Sequence, residues 1–152
     1  WLLQYLEEKS RRVLGSSRIN KNKVTFEIMV LGFKQQFVAP ILSGTKKHTI
    51  REDITNRWAE GKTIHFATGV RTKNYNNFKT SPCVQVQEIE IIWKNEHIND
   101  AIVKVDGIKL SLEQKQNLAH NDGFANLIEF FLWFSEDFKG KIIHWTDLTY
   151  NK

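Results

Sequence analysis

Cysteine is almost missing from this chain. Cys83 is the only one in 152 residues, so no intramolecular disulfide can form and nothing points to an oxidising compartment. Methionine occurs once, at Met29, and proline twice. No run of about 18 apolar residues exists, which argues against a membrane-spanning helix. The opening Trp1-Leu2-Leu3 meets charged residues too soon to read as a signal peptide, and a cytoplasmic protein is the expectation. The sequence has no G-x-G-x-x-G and no P-loop. Its five histidines, His48, His65, His97, His120 and His144, form no H-E-x-x-H and no cluster with Cys83, so neither a metal nor a cofactor is expected. Nothing near Cys83 in sequence would activate its thiol, and a packed, idle side chain is the expectation there.

What is present is apolar mass and a modest basic excess. Apolar residues make up 41% and aromatic residues 12%, enough for the core of one ordinary domain. The formal net charge of +5 is compatible with a polyanionic partner such as RNA, and equally with a soluble domain that happens to be basic. The lone Met29 lies close to the start of the best-organised stretch. Residues 1–28 are therefore set apart as an N-terminal helix and linker, with Leu2, Leu3, Leu6 and Val13 at loosely helical spacing. Residues 29–152 are taken as the domain.

Hydrophobic periodicity then orders the elements. Val24 to Phe33 reads as a strand and Gln35 to Ser43 as a short helix stopped by Gly44. His48 to Arg51 reads as extended, and Glu52 to Glu60 as a polar excursion carrying Trp58. Thr63–Ala67 is a strand and Thr68 to Pro82 a long loop or hairpin. Val84 to Trp93 is the clearest strand, but its apolar residues change parity midway, which predicts a bulge or a bend. Asp106-Gly107 predicts a hairpin. Ser111 with Gln114 makes a capping box for a helix to about Asn121. A second helix is read from Ala125 to Ser135, with Phe124, Leu127, Ile128, Phe131 and Phe134 as its core stripe. Lys141 to Leu148 closes the set as a strand. This order suits an α+β fold, a small mixed β-barrel with flanking helices.

The chemistry concentrates in Gly44-Thr45-Lys46-Lys47-His48-Thr49-Ile50-Arg51. In an extended segment Thr49 and Arg51 project to one side, and Lys46 in the preceding turn can reach the same side. An ammonium, a hydroxyl and a guanidinium would then converge as a site for an anion or a carbonyl. The bland alternative is a solvated turn with a structural ion pair.

The pattern Gly44, Lys46, Thr49, Arg51 resembles the signature of ASCH domains, within the PUA-like group. Met29–Phe33, Trp58–Lys62 and Ala119–Phe124 agree with it, and the resemblance covers about residues 29–150. It implies a PUA-like β-barrel whose motif lines a cleft, and binding of RNA or of a modified nucleoside or nucleotide. One bacterial branch of the family hydrolyses the amide of acetylated cytidine. Carried over, Lys46 would be the base, Thr49 the nucleophile and Asp122 the carboxylate, where the family carries the longer glutamate. The leading expectation is an RNA- or nucleotide-binding domain with Gly44, Lys46, Thr49 and Arg51 at its cleft. The rivals are a small amidohydrolase or ribonuclease using the same cleft, and a protein-interaction module with a vestigial one.

Further residues are candidates for ligand contact, each with a bland alternative. Trp58 and Trp145 would stack a base or pack in the core. Arg71 and Lys73, with Tyr75 and Lys79, form a basic and aromatic strip or an ordinary loop. Asp122 would serve the site or cap the helix after it.

Overall fold

The computed structural model describes residues 27–151. The helix and linker expected over residues 1–28 lie outside the described residues, apart from the last two. The chain runs β1 (Ile28–Gly32), a 3-10 turn (Gln35–Phe37) leading into α1 (Val38–Ser43), β2 (His48–Arg51), β3 (Thr63–Thr68), β4 (Asn76–Pro82) and β5 (Gln85–Ile92). A 3-10 turn (Ile98–Asp100), β6 (Ile102–Val105), β7 (Ile108–Lys109), α2 (Leu112–Asn121), α3 (Leu127–Trp133) and β8 (Phe138–His144) follow.

The strands form two sheets, and the expected barrel is corrected here. One sheet has the order β1-β3-β4 and the other β2-β8-β5-β6-β7, and no strand ladder joins them. The chain steps from one sheet to the other through Cys83 and Val84, between β4 and β5. On the opposite side, β1 and β2 are each a sheet edge. A closed barrel would need a backbone ladder between those edges. Instead the Arg51 guanidinium donates from Nη2 to the Gly32 carbonyl at 2.6 Å, so a side chain spans the seam. The architecture is α+β with two open sheets, not a PUA-like barrel.

Local chemistry explains most boundaries. Ser111 accepts from the Gln114 backbone and Gln114 Oε1 accepts from Ser111 N at 2.8 Å, the reciprocal capping box. Asp106 and Gly107 both have positive φ, 50° and 80°, as a tight two-residue hairpin requires. In α3 the buried residues are Phe130 and Phe131, while Ile128 of the expected stripe is exposed.

Of the loop or hairpin expected over Thr68 to Pro82, the structure has the hairpin: residues 76–82 form a strand antiparallel to β3, with a register shift between Phe66 and Ala67. Of the bulge or bend expected in Val84 to Trp93, the bulge is absent: β5 pairs with β8 without a register shift from Gln85 to Ile91. Its buried parity is Gln87, Ile89 and Ile91. Gln87 tolerates this place because its Nε2 donates to Asp106 Oδ2 and to the Tyr150 carbonyl, each at 2.8 Å, while its Oε1 accepts from Tyr150 N at 3.0 Å. A buried amide with its partners in place costs little.

The core fills the space between the sheets. Phe33 stacks on Phe66 with centroids 5.7 Å apart, and Trp145 meets Phe66 edge-on at 4.8 Å. The Glu52–Glu60 excursion is pinned by Asp53, which accepts from Arg57 N and Trp58 N at 2.8 and 3.0 Å and pairs with Lys141 at 3.2 Å. Burial alone would raise the Asp53 pKa, but those two amides and Lys141 outweigh it and hold the carboxyl below its ordinary range.

Candidate functional site

Gly44 sets the geometry of the motif. It caps α1 in the left-handed conformation (φ 83°) and turns the chain toward β2. Lys46 N then donates to the Pro40 carbonyl at 2.9 Å and Lys47 N to the Asn121 carbonyl at 2.7 Å. These bonds fasten the motif to α1 on one side and to the end of α2 on the other. β2 then lies against β8, with His48 opposite His144 and Arg51 opposite Lys141.

A cavity of about 270 Å³ opens at the seam between the edge strands. Its lining includes Lys46, Thr49, Arg51, Glu52 and Asp122 together with Gly32 of β1. The remaining walls are largely aromatic: Phe33, Phe37, Phe124, Trp133, Phe134 and Phe138. The ammonium, hydroxyl and guanidinium therefore share one concave site with the Asp122 carboxylate. Lys46 is 2% exposed, Thr49 4% and Asp122 3%.

The contacts within the site are specific. Lys46 Nζ donates to the Asp122 backbone carbonyl and to Asp122 Oδ1 at 3.1 Å, and sits 4.9 Å above the Phe37 ring. Arg51 Nε donates to Thr49 Oγ1 at 3.3 Å, and the guanidinium lies over Phe33 at 5.0 Å. Burial pushes the Lys46 pKa down and Arg51 adds to that, while Asp122 opposes it without reversing it. Asp122 closes α2 at its C-cap. A carboxylate is disfavoured at that end of a helix dipole, so its hydrogen-bond partners must hold it there. The N-cap of the next helix is Asn126, whose Oδ1 accepts from Glu129 N at 2.9 Å, so Asp122 is not that cap.

Residues beyond the motif complete the site. Asp122 Oδ1 is also 3.2 Å from His48 Nδ1, and His48 Nε2 is 2.6 Å from the Tyr150 hydroxyl. Asn121 Nδ2 lies 3.1 Å from the same hydroxyl. One hydrogen arrangement satisfies the chain. An amide nitrogen only donates, so the Tyr150 oxygen accepts from Asn121 and gives its proton to His48 Nε2. His48 then carries its proton on Nδ1 and donates to Asp122. Burial keeps His48 neutral by lowering its pKa, with Lys46 and Lys47 adding to the effect against Asp122. Burial likewise raises the Tyr150 pKa. Tyr150→Phe is expected to strand the His48 acceptor and cost about 1–3 kcal/mol, read as a lowered urea midpoint. An unchanged midpoint would remove Tyr150 from the network.

Gly123 is the other contributor that sequence reasoning missed. At φ 91° it lies flat against the Lys46 stem, and a Cβ there would come within 3.0 Å of Lys46 Cδ. Its signal was the small residue beside Asp122 at a helix end.

The remaining candidates sit elsewhere. Trp58 is 3% exposed in the hydrophobic core and does not line the cavity. Trp145 is also in the core. Arg71 and Lys73 are exposed on the turn between β3 and β4 and do not line it either. Gly44 lines a second cavity with Lys46 rather than the first. Cys83 is buried, which pushes its thiol up to about 12. Among the described residues no group of three His, Cys, Asp or Glu side chains is placed to hold a metal. No helix among them is long and apolar enough to cross a membrane.

No family model, curated protein or solved structure matches the chain. The ASCH assignment and the RNA-binding role expected with it are thus carried by no relative, and the class supported is an α+β fold of two sheets.

Proposed function

We propose that this chain is a small amide hydrolase that removes an acyl group from the exocyclic amine of a cytosine-type base. The observation that carries the reading is the buried Lys46, its pKa lowered, sharing one small cavity with Thr49, Arg51 and Asp122. A volume of about 270 Å³ is slightly below the usual range for small-ligand pockets and suits a nucleobase better than a strand of RNA. Six aromatic walls suit a planar ring. The likeness of the Gly44-to-Arg51 motif to that of cytidine-deacetylating proteins supports the choice of base.

The residues support a two-step acyl transfer. Neutral Lys46 accepts the Thr49 hydroxyl proton as Oγ1 bonds to the acyl carbon. Arg51, already donating to Thr49 Oγ1, lowers the charge cost on the attacking oxygen and on the carbonyl oxygen as it becomes anionic. Collapse breaks the C–N bond, and the departing amine takes the proton held by Lys46. Water then cleaves the acyl ester on Thr49, releasing the carboxylic acid. Asp122 holds the Lys46 ammonium while it carries that proton, and His48 and Tyr150 hold Asp122.

Incubation with N4-acetylcytidine, followed by mass analysis, is expected to yield cytidine and acetate. Thr49→Val keeps the shape and drops the hydroxyl, and should lower kcat by about 10⁶, as loss of an acyl-transfer nucleophile does, whereas Thr49→Ser retains turnover. Because the base must be neutral, kcat rises with pH through a midpoint below the ordinary lysine value of about 10.4. Wild-type turnover in Thr49→Val would sink the nucleophile, and no turnover by the native protein would sink the reading.

A further inference from the structure

We propose that the second cavity beside Lys46 is an anion subsite that takes the phosphate of a nucleotide, so that the substrate class is a nucleoside monophosphate rather than a free nucleoside. This rests on the amide-hydrolase reading for the base and adds to it. The second cavity holds about 540 Å³, twice the first. Lys46 belongs to both linings.

The two cavities differ in chemistry. In the first, the two buried cations are committed, Lys46 to Asp122 and Arg51 to the Gly32 carbonyl and Thr49, while the exposed Lys34 at its rim lies 4.7 Å over the Trp133 ring. Its remaining walls are mainly aromatic, so it suits a neutral ring. The second is lined by Lys79, by the hydroxyl residues Thr80, Ser81 and Thr146, and by a single carboxylate, Asp147.

Lys79 is the telling residue. Its side chain is half-buried, with Nζ 5.7 Å above the Phe66 ring, and among the described residues it has no ion pair and no hydrogen bond. Burial lowers its pKa. An ammonium partly withdrawn from water without a counter-charge is costly, and an arriving anion supplies that charge. Ser81 is 5% exposed, and its hydroxyl reaches only the neighbouring Pro82 carbonyl at 3.4 Å. Both donors line the same cavity. A nucleoside monophosphate presents a neutral planar ring and a dianion on one molecule, which matches the division between the two cavities.

Titration with cytidine, cytidine 5′-monophosphate and inorganic phosphate tests this without requiring turnover. The monophosphate should bind at least tenfold more tightly than cytidine and weaken as salt is added. Lys79→Met preserves the stem over Phe66 and should erase that preference while leaving cytidine affinity unchanged; Lys79→Arg should keep it. Perturbation of Lys79 resonances by inorganic phosphate alone would locate the anion independently of the base. Equal affinity for the two cytidine ligands, no binding of either, or an undiminished preference in Lys79→Met would each overturn the subsite. A phosphate preference without deacylation would instead overturn the amide-hydrolase reading and leave the subsite standing.

Discussion

Lys46→Met should destabilise the protein by about 3–5 kcal/mol, because it strips a buried carboxylate of its ammonium. Asp122 sits on the cavity wall with 3% exposure, and its Oδ1 takes hydrogen bonds from both Lys46 and His48. Methionine fills most of the lysine volume, so the loss reports charge rather than a void. Lys46→Met combined with Asp122→Asn should recover much of the stability, since a neutral amide oxygen still accepts from His48. Neither variant should turn over substrate, because both lack the base. Urea unfolding beside turnover separates the two roles. A single-variant loss under 1 kcal/mol, with no recovery in the double, would show that the pair is not held out of water.

The sequence made this site half legible. Period-two geometry put Thr49 and Arg51 on one side of β2, and a turn lysine could reach them, because both facts are local. Asp122 was reachable only through the resemblance of the motif, since 76 residues separate it from Lys46. His48 was discounted as a stray histidine, and Tyr150, 102 residues away, carried no local signal at all. Burial, not sequence spacing, turned these residues into a hydrogen-bonded chain.

The fold was misread where polar residues face inward. Val84 and Val86 share one parity and Ile89 and Ile91 the other, which implied a bulge or a bend; the buried parity instead takes in Gln87, whose three hydrogen bonds let a polar residue face inward. Residues 76–82 were left open between loop and hairpin because few are apolar, yet an edge strand needs only one covered face. Barrel closure was inferred from element order, and order cannot say whether the last seam is a ladder or a side chain. Here it is Arg51 on Gly32, and the cavity occupies the gap that a ladder would have filled.

Two glycines at nearly the same dihedral angle separate backbone strain from contact with Lys46. Gly44 has φ 83° and Gly123 has φ 91°, and both resist a Cβ on conformational grounds. At Gly44 a new Cβ would meet nothing within 4 Å. Gly44→Ala should thus cost only the left-handed penalty, roughly 1–2 kcal/mol. At Gly123 the same atom would lie 3.0 Å from Lys46 Cδ and 3.3 Å from its Cβ and Cγ. Gly123→Ala should cost the backbone penalty plus about 1–3 kcal/mol for overpacking a well-filled site. It should also suppress turnover, by shifting the ammonium off Asp122, while Gly44→Ala leaves most turnover intact. The excess belongs to Lys46 if it shrinks in a Lys46→Ala background, where Cγ and Cδ are gone, and a double-mutant cycle measures that coupling directly. Equal losses from the two glycine variants, or an excess indifferent to Lys46→Ala, would mean that Gly123 serves the backbone alone.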